Sequence, residues 1–263
     1  MSPIQPLREY NANTPQYEFY KRQHMVQTWD SVQKVKGTFR DGVHERMTMP
    51  EALKQLDTFV DPSDPDVDEP NSIHAYQTAE RIRHKYKGEE KELQVCGLIH
   101  DLGKILFTTG LDPTFVVGDT FVVGCAFPDT IVYPETMMGN SDAHHPVYGT
   151  TMGVYEAGCG LDALELSYGH DEYLYQMLVR NRDRHRLSER WMRAIRYHSF
   201  YPWHDKGSYT EFMDDDDRVM LADVKELNDH DLYSKGEPFE LNYQMKSYYE
   251  KLLNDYFPVA LEW

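Results

Sequence analysis

His100 and Asp101 stand side by side in the run Gly97-Leu-Ile-His-Asp-Leu-Gly-Lys104, and isolated His74, His170, His198 and Asp231 recur along the chain. Imidazole nitrogens and carboxylate oxygens suit iron, manganese or zinc, and one carboxylate has two oxygens with which to join two ions. A two-metal enzyme is the chemistry these residue types would serve. The dipeptide alone is a weak signal, because His-Asp recurs at His170-Asp171, His204-Asp205 and His230-Asp231. The set is stronger, since a helical bundle can bring ligands from separate helices to one interior point.

The elements that must carry these residues are mostly helical. Tyr17 to Val35 lacks glycine and proline and places Met25, Trp29 and Val32 at helical spacing. Met49 to Phe59 predicts a shorter helix, and Asn71 or Ser72 can cap one that runs to about Tyr86 before Gly88, with His74 in its first turn. Lys91 to Phe107 predicts a helix with Leu98, Leu102 and Ile105 on one stripe and His100 and Lys104 on the next. Thr114 to Val123 changes period, and its β-branched runs around Gly118-Asp119 predict a hairpin. Asp61 to Pro70 and Asp129 to Gly149 read as loops, the second on the surface.

Helical character returns after Gly160, with His170, and again from Ser188 through Trp191, Ile195 and His198 to Pro202. Met220, Val224, Leu227 and Asp231 then recur in steps of four, three and four, so a carboxylate ends an apolar stripe. Burying it unpaired would cost several kcal/mol or force its protonation. It needs a cation, either a metal or a lysine such as Lys225 or Lys235. Lys104 reads either as solvated surface or as a cation beside bound anions or hydroxyls. His24, His44, His84, His144, His145, His185 and His230 lie in polar surroundings and read as surface. Asp214 to Asp217 reads as a solvated loop or helix start rather than a calcium loop.

Composition excludes several classes. The 263 residues carry 44 acidic against 27 basic side chains, a formal charge of −17 that repels polyanions and argues against nucleic acid. No apolar run reaches the roughly 18 residues of a membrane span, and the opening MSPIQPLREYNANTPQYEF lacks the marks of a signal peptide. Cys96, Cys125 and Cys159 have no C-x-x-C spacing and cannot all pair, which fits a reducing, cytoplasmic location.

Six runs together resemble the myo-inositol oxygenase family. They are Asp61-Pro-Ser-Asp-Pro-Asp-Val-Asp-Glu-Pro-Asn-Ser-Ile-His74, Gly97 to Lys104, Val117-Gly-Asp-Thr120, Gly169-His-Asp-Glu-Tyr173, His198-Ser-Phe-Tyr-Pro-Trp-His204 and Asp231-Leu-Tyr-Ser-Lys235. Their order and spacing fit from Arg8 to Trp263. The resemblance implies an all-α, single compact His-Asp-type helical domain over residues 1–263, with the short β-hairpin above and residues 1–16 closing over the site. It implies two iron ions, mixed-valent Fe(II)/Fe(III), and no organic cofactor. His74, His100, Asp101 and Asp231 would bind one iron; Asp101 would bridge to the second, held by His170 and His198.

The substrate would meet Arg8, Asp61, Ser63, Lys104, Gly118, Asp119, His198, Ser199 and Lys235, with Lys104 and Asp101 serving catalysis. The implied reaction is ring cleavage of myo-inositol by O2 to D-glucuronate, in inositol catabolism, by a monomer that binds neither membrane nor nucleic acid. A phosphohydrolase with the same His-Asp ligands, a non-catalytic metal-binding or scaffold protein, and an oxygenase of another cyclic polyol are the alternatives.

Overall fold

Three threonines start the first three helices. Thr14, Thr28 and Thr48 each hold extended backbone and accept a hydrogen bond from an N–H in the first turn, and Ser31 and Glu51 return the bond to Thr28 and Thr48. The resulting elements are α1 (Pro15–Val26), α2 (Trp29–Thr38) and α3 (Met49–Leu56). The computed structural model describes residues 14–42, 45–63, 70–234 and 239–263. Further along lie α4 (Asn71–Lys85), α5 (Lys91–Ile99), α6 (His170–Arg180), α7 (Glu189–Arg196), the single turn α8 (Tyr201–His204), α9 (Asp215–Ser234) and α10 (Tyr243–Tyr256). The all-α expectation holds. α4 packs on α5 and α9, and α7 on α6 and α9, so the helices that carry the candidate ligands share one core.

The expected helix over Tyr17 to Val35 is two helices. At the break, Gln27 leaves helical geometry and Thr28 begins a new capping box. The junction is sealed from outside by the stretch expected to be a surface loop. Asn140 Nδ2 donates to His24 O (2.7 Å) and Gln27 O (3.0 Å), and Asp142 accepts from Trp29 N (2.6 Å). Thr136, Met137, Asn140 and Asp142 are therefore buried, along two 3₁₀ turns, Pro134–Gly139 and Ser141–His144, and the extended Asn140 between them.

Residues 114–123 form no hairpin. Pro113–Phe115 is a 3₁₀ turn, and the rest is extended loop touching Leu166 through one bridge at Val122. The β-branched residues there are β-like because Val116, Val117, Val122 and Val123 are buried coil, not because they pair. The two-stranded antiparallel sheet of the described residues joins β1 (Arg46–Met47) to β2 (Leu261–Glu262), with Met47 opposite Leu261. Neither Asn71 nor Ser72 caps α4. Asn71 Nδ2 instead donates to Leu56 O and Phe59 O, and the carboxylate of Asp57 accepts the Ser72 N–H.

Among the described residues no helix is long and apolar enough to cross a membrane. All three cysteines are free thiols, with Cys96 and Cys125 buried.

Candidate metal and substrate site

Most of the candidate ligands stand where helices end. α5 stops at Ile99, leaving His100 as its C-cap, and the chain tightens into a 3₁₀ turn, Leu102–Thr109, with Asp101 at the corner. Gly103 makes this corner. A Cβ there would lie 1.9 Å from the carbonyl oxygen of His170, so only glycine lets the turn cross the first residue of α6. His198 falls in the turn between α7 and α8, and His74 and Asp231 lie inside α4 and α9. The apolar stripe Met220, Val224 and Leu227 is buried as its spacing predicts, and it carries Asp231 inward, 5% exposed.

The six side chains meet as two groups that share one carboxylate. The ligating atoms of His74, His100 and Asp101 lie within 4.8 Å of one another, and so do those of Asp101, His170 and His198. Asp101 Oδ2 faces His100 Nε2 at 3.6 Å, and its Oδ1 faces His170 Nε2 at 3.3 Å and His198 Nε2 at 3.8 Å. Asp231 Oδ1 completes the first group, 2.6 Å from His74 Nε2 and 3.5 Å from His100 Nε2.

Three of the imidazoles have their tautomer fixed from behind. His100 Nδ1 lies 2.9 Å from Gly97 O, His170 Nδ1 2.9 Å from Val116 O, and His198 Nδ1 2.6 Å from Ile195 O. A carbonyl only accepts, so Nδ1 carries the hydrogen and Nε2 of the neutral ring presents a lone pair to the site. With both rings neutral, His170 Nε2 and His198 Nε2 face each other at 3.2 Å as two acceptors. Two lone pairs and a carboxylate oxygen converging on one point repel one another unless a proton or a metal cation sits among them. A metal ion fits this donor set.

The charges agree. Burial opposes ionisation of Asp101, but the attraction of Lys104 and His100 outweighs it and holds the carboxyl well below the usual aspartate range. Burial likewise opposes the charge on Asp231, and hydrogen bonds and attraction from His100 and His74 hold it well below that range. For His100, burial lowers the pKa, yet Asp101 and Asp231 together raise it above the ordinary histidine value. A field that would keep a proton on an imidazole will also hold a metal cation.

Beside the two groups lies a cavity of about 40 Å³, several times the ~10–15 Å³ that one water centre needs. Lys104, Asp61, Ser63, Gly118, Asp119 and Ser199 line it together with His198. Lys104 is buried, not solvated, and its Nζ sits 2.9 Å from both Asp61 Oδ2 and Asp101 Oδ2. Asp61 Oδ1 accepts from the N–H (2.8 Å) and hydroxyl (2.6 Å) of Ser63. Gly118 has φ of +100°, and a Cβ there would lie 2.5 Å from Gln23 Nε2, so glycine brings this wall against α1. Ser199 Oγ lies 3.2 Å from His198 Nε2, and Thr120 ties the wall down by donating its N–H to Ser199 O (2.9 Å) and its hydroxyl to Asp171 (2.8 Å). Arg8 and Lys235 lie outside the described residues.

Two lining residues went unread in the sequence. Tyr20 is 1% exposed and donates its hydroxyl to Asp119 Oδ1 (2.9 Å), and Tyr201 stands beside Ser199 in the pocket wall. The available signal was the polar series Tyr20, Gln23 and His24 on α1, continued by Gln27 just past its end, every member of which is buried. His24, His185 and His230 are buried as well, contrary to the surface expectation, because backbone or side-chain acceptors and donors meet them inside: Thr136 for His24, Leu178 O for His185 and Glu226 for His230. Asp214–Asp217 does start a helix, but Asp217 is fully buried, where it accepts from Leu161 N (2.8 Å) and meets Arg193 (3.0 Å).

Fold and site together define an all-helical protein whose interior holds a paired His/Asp cluster fit for metal ions. The family model described as myo-inositol oxygenase matches residues 14–263. Inositol oxygenase 2 of Arabidopsis thaliana is 44% identical over 249 residues, covering 94% of this chain and 78% of its own. Inositol oxygenase of Sus scrofa is 43% identical over 94% of this chain and 87% of its own, and that of Homo sapiens 42% over 93% and 85%. The chain belongs to the myo-inositol oxygenase family, a family of enzymes.

Proposed function

We propose that this chain is a non-haem diiron oxygenase that cleaves the ring of myo-inositol with O2, giving D-glucuronate and water. The reaction removes four electrons from the polyol, which O2 accepts. One observation carries the reading: two three-residue groups of lone-pair donors share Asp101 and open beside a cavity walled by Lys104, Asp61 and Ser199. His74, His100, Asp101 and Asp231 would hold one iron; Asp101, His170 and His198 would hold the other. With few protein ligands on the second, substrate hydroxyls could reach it. A mixed-valent Fe(II)/Fe(III) pair held by these residues would supply electron transfer with O2 and would acidify hydroxyls bound to it.

The chain's own residues do the rest. A polyol is uncharged and must be recognised by many directed hydrogen bonds, for which carboxylates accept, hydroxyls do both and the ammonium donates. Asp61 and Asp119 offer acceptor oxygens at the cavity wall, while Ser63 and Ser199 offer hydroxyls. Tyr20, by donating to Asp119, fixes which way that carboxylate faces. Lys104 Nζ, held between Asp61 and Asp101, can donate to a substrate oxygen and stabilise negative charge that develops on it. Arg8 would close the site and Lys235 would add a further donor.

The phosphohydrolase alternative fits less well. Among the described residues of the cavity wall Lys104 is the one permanent cation, and two carboxylates face it, whereas phosphate recognition needs converging cations. The test is O2 consumption by iron-loaded, partially reduced protein with and without myo-inositol, the acid product identified by mass spectrometry. Uptake that requires myo-inositol and yields glucuronate is the expected result. No uptake with iron verified, or phosphate release from nucleotides, contradicts it; uptake with scyllo-inositol instead would move the substrate to another polyol.

A further inference from the structure

Behind the second histidine group lies an ion pair that takes no part in the cavity. Glu172 and Arg196 are 2% and 5% exposed, and Arg196 Nε donates to Glu172 Oε2 at 2.7 Å. Glu172 is two residues past His170 in α6, and Arg196 two residues before His198 at the end of α7. Two residues turn a helix by roughly 200°, so Glu172 points away from the face that carries His170. We propose that this pair is a positioning clamp: it fixes the approach of the α6 N-terminus to the α7 C-terminus and thereby the spacing of His170 and His198 for the second metal ion. The inference rests on the diiron reading above.

Three features support the assignment. The carboxylate sits in the first turn of α6 and the guanidinium in the last turn of α7, where each helix dipole favours that charge. Other partners engage both groups, and Lys36 Nζ lies 3.8 Å from Glu172 Oε1. Gln176 donates to Glu172 Oε1 (2.8 Å), Arg196 Nη1 donates to Asp162 (2.7 Å) and Tyr197 Oη (3.1 Å), and the guanidinium lies 4.8 Å from the centre of the Tyr175 ring. Finally, a buried ion pair seldom exceeds an apolar contact of equal volume in stability, so keeping this one buried is consistent with a role in setting distance and direction. The histidines need both. Their Nε2 atoms stand 3.2 Å apart, and each ring already has its Nδ1 fixed, so the spacing between them depends on how the two helix ends meet.

The test is an anaerobic Fe(II) titration followed calorimetrically. Wild-type protein should take two equivalents. Arg196→Lys, which loses the fork reaching Glu172 and Asp162 together, and Glu172→Gln should keep the first equivalent and bind the second about 10- to 100-fold more weakly. The paired variant Glu172→Leu with Arg196→Met keeps the volume filled and should restore thermal stability without restoring the second equivalent. Leu253→Ala, which opens the packing of α10 far along the chain, should lower stability and leave both equivalents intact. Wild-type affinity for the second equivalent in Arg196→Lys, or its recovery in the apolar pair, would overturn the clamp. Failure of wild type itself to bind two equivalents would instead remove the diiron reading and the clamp with it.

Discussion

Asp231 and Lys104 are charged residues that the same core buries for different purposes. Asp231 ends an apolar stripe and meets two imidazoles, so its role is to complete a donor set. Asp231→Ala is expected to retain the fold, bind one iron instead of two and lose turnover; iron counted per chain after gel filtration checks it, and two retained irons would make Asp231 a structural residue. Lys104→Ala should leave both irons in place and lower kcat/KM by roughly 100-fold or more, the loss expected when a preorganised donor to developing charge is removed. A steady-state assay beside the iron count separates the two roles. In the sequence, Asp231 could be seen to need a cation because period and charge conflict on one helix face. Lys104 could not be resolved, because its spacing fits an exposed position equally well and its burial comes from residues distant in sequence, Asp61 among them.

At the scale of elements, the site depends on interruptions. His100, Asp101, His170 and His198 stand at helix ends, where the chain changes direction and the side chains of two elements can face one point. Helical periodicity locates the helices well and their interruptions poorly. One capping threonine, Thr28, outcompetes the pattern that runs from Tyr17 to Val35, and the buried coil of residues 114–123 has the β-branched composition of a strand without a partner. Gln27 shows what such an interruption needs. Its Nε2 donates to Thr114 O (2.8 Å) and Tyr168 O (2.7 Å), and its Oε1 accepts from Tyr168 N (3.0 Å), so one side chain serves the backbone just before the Gly118 wall and just before His170. Gln27→Ala leaves these groups unpaired in the interior and should cost about 1–3 kcal/mol or more. A urea midpoint lowered at unchanged m-value is the expected readout; a shift indistinguishable from zero would mean that water replaces the amide there.

The whole molecule carries a net negative charge and holds His24 and His204 inside in their neutral form. Burial pushes His24 down to about 3, and it also pushes His204 down to about 4 despite an opposing hydrogen bond to His198 O. Unfolded histidine titrates near 6.5. Below that value the unfolded chain binds protons that the folded chain refuses, so stability is full above about pH 6.5 and falls as pH drops toward 4, at up to about 1.4 kcal/mol per unit for each such histidine. Thermal unfolding of wild type and His24→Gln at pH 7.5 and 5 should show a shallower pH loss in the variant; parallel curves would mean that His24 takes up a proton without unfolding. These buried histidines were not legible in the sequence, since a histidine among polar neighbours on α1 looks the same whether the helix faces solvent or, as here, the turn around Thr136. The six convergent residues were legible through their motifs, and the sharing of Asp101 was implied by the family resemblance, whereas residue spacing alone could not give the geometry that brings the two groups together. The most direct test of that shared centre is anomalous diffraction at the iron edge from crystals of the iron-loaded protein. Two peaks are expected, one among His74, His100, Asp101 and Asp231 and one among Asp101, His170 and His198, with Asp101 between them. A single peak, or iron bound away from Asp101, would contradict it.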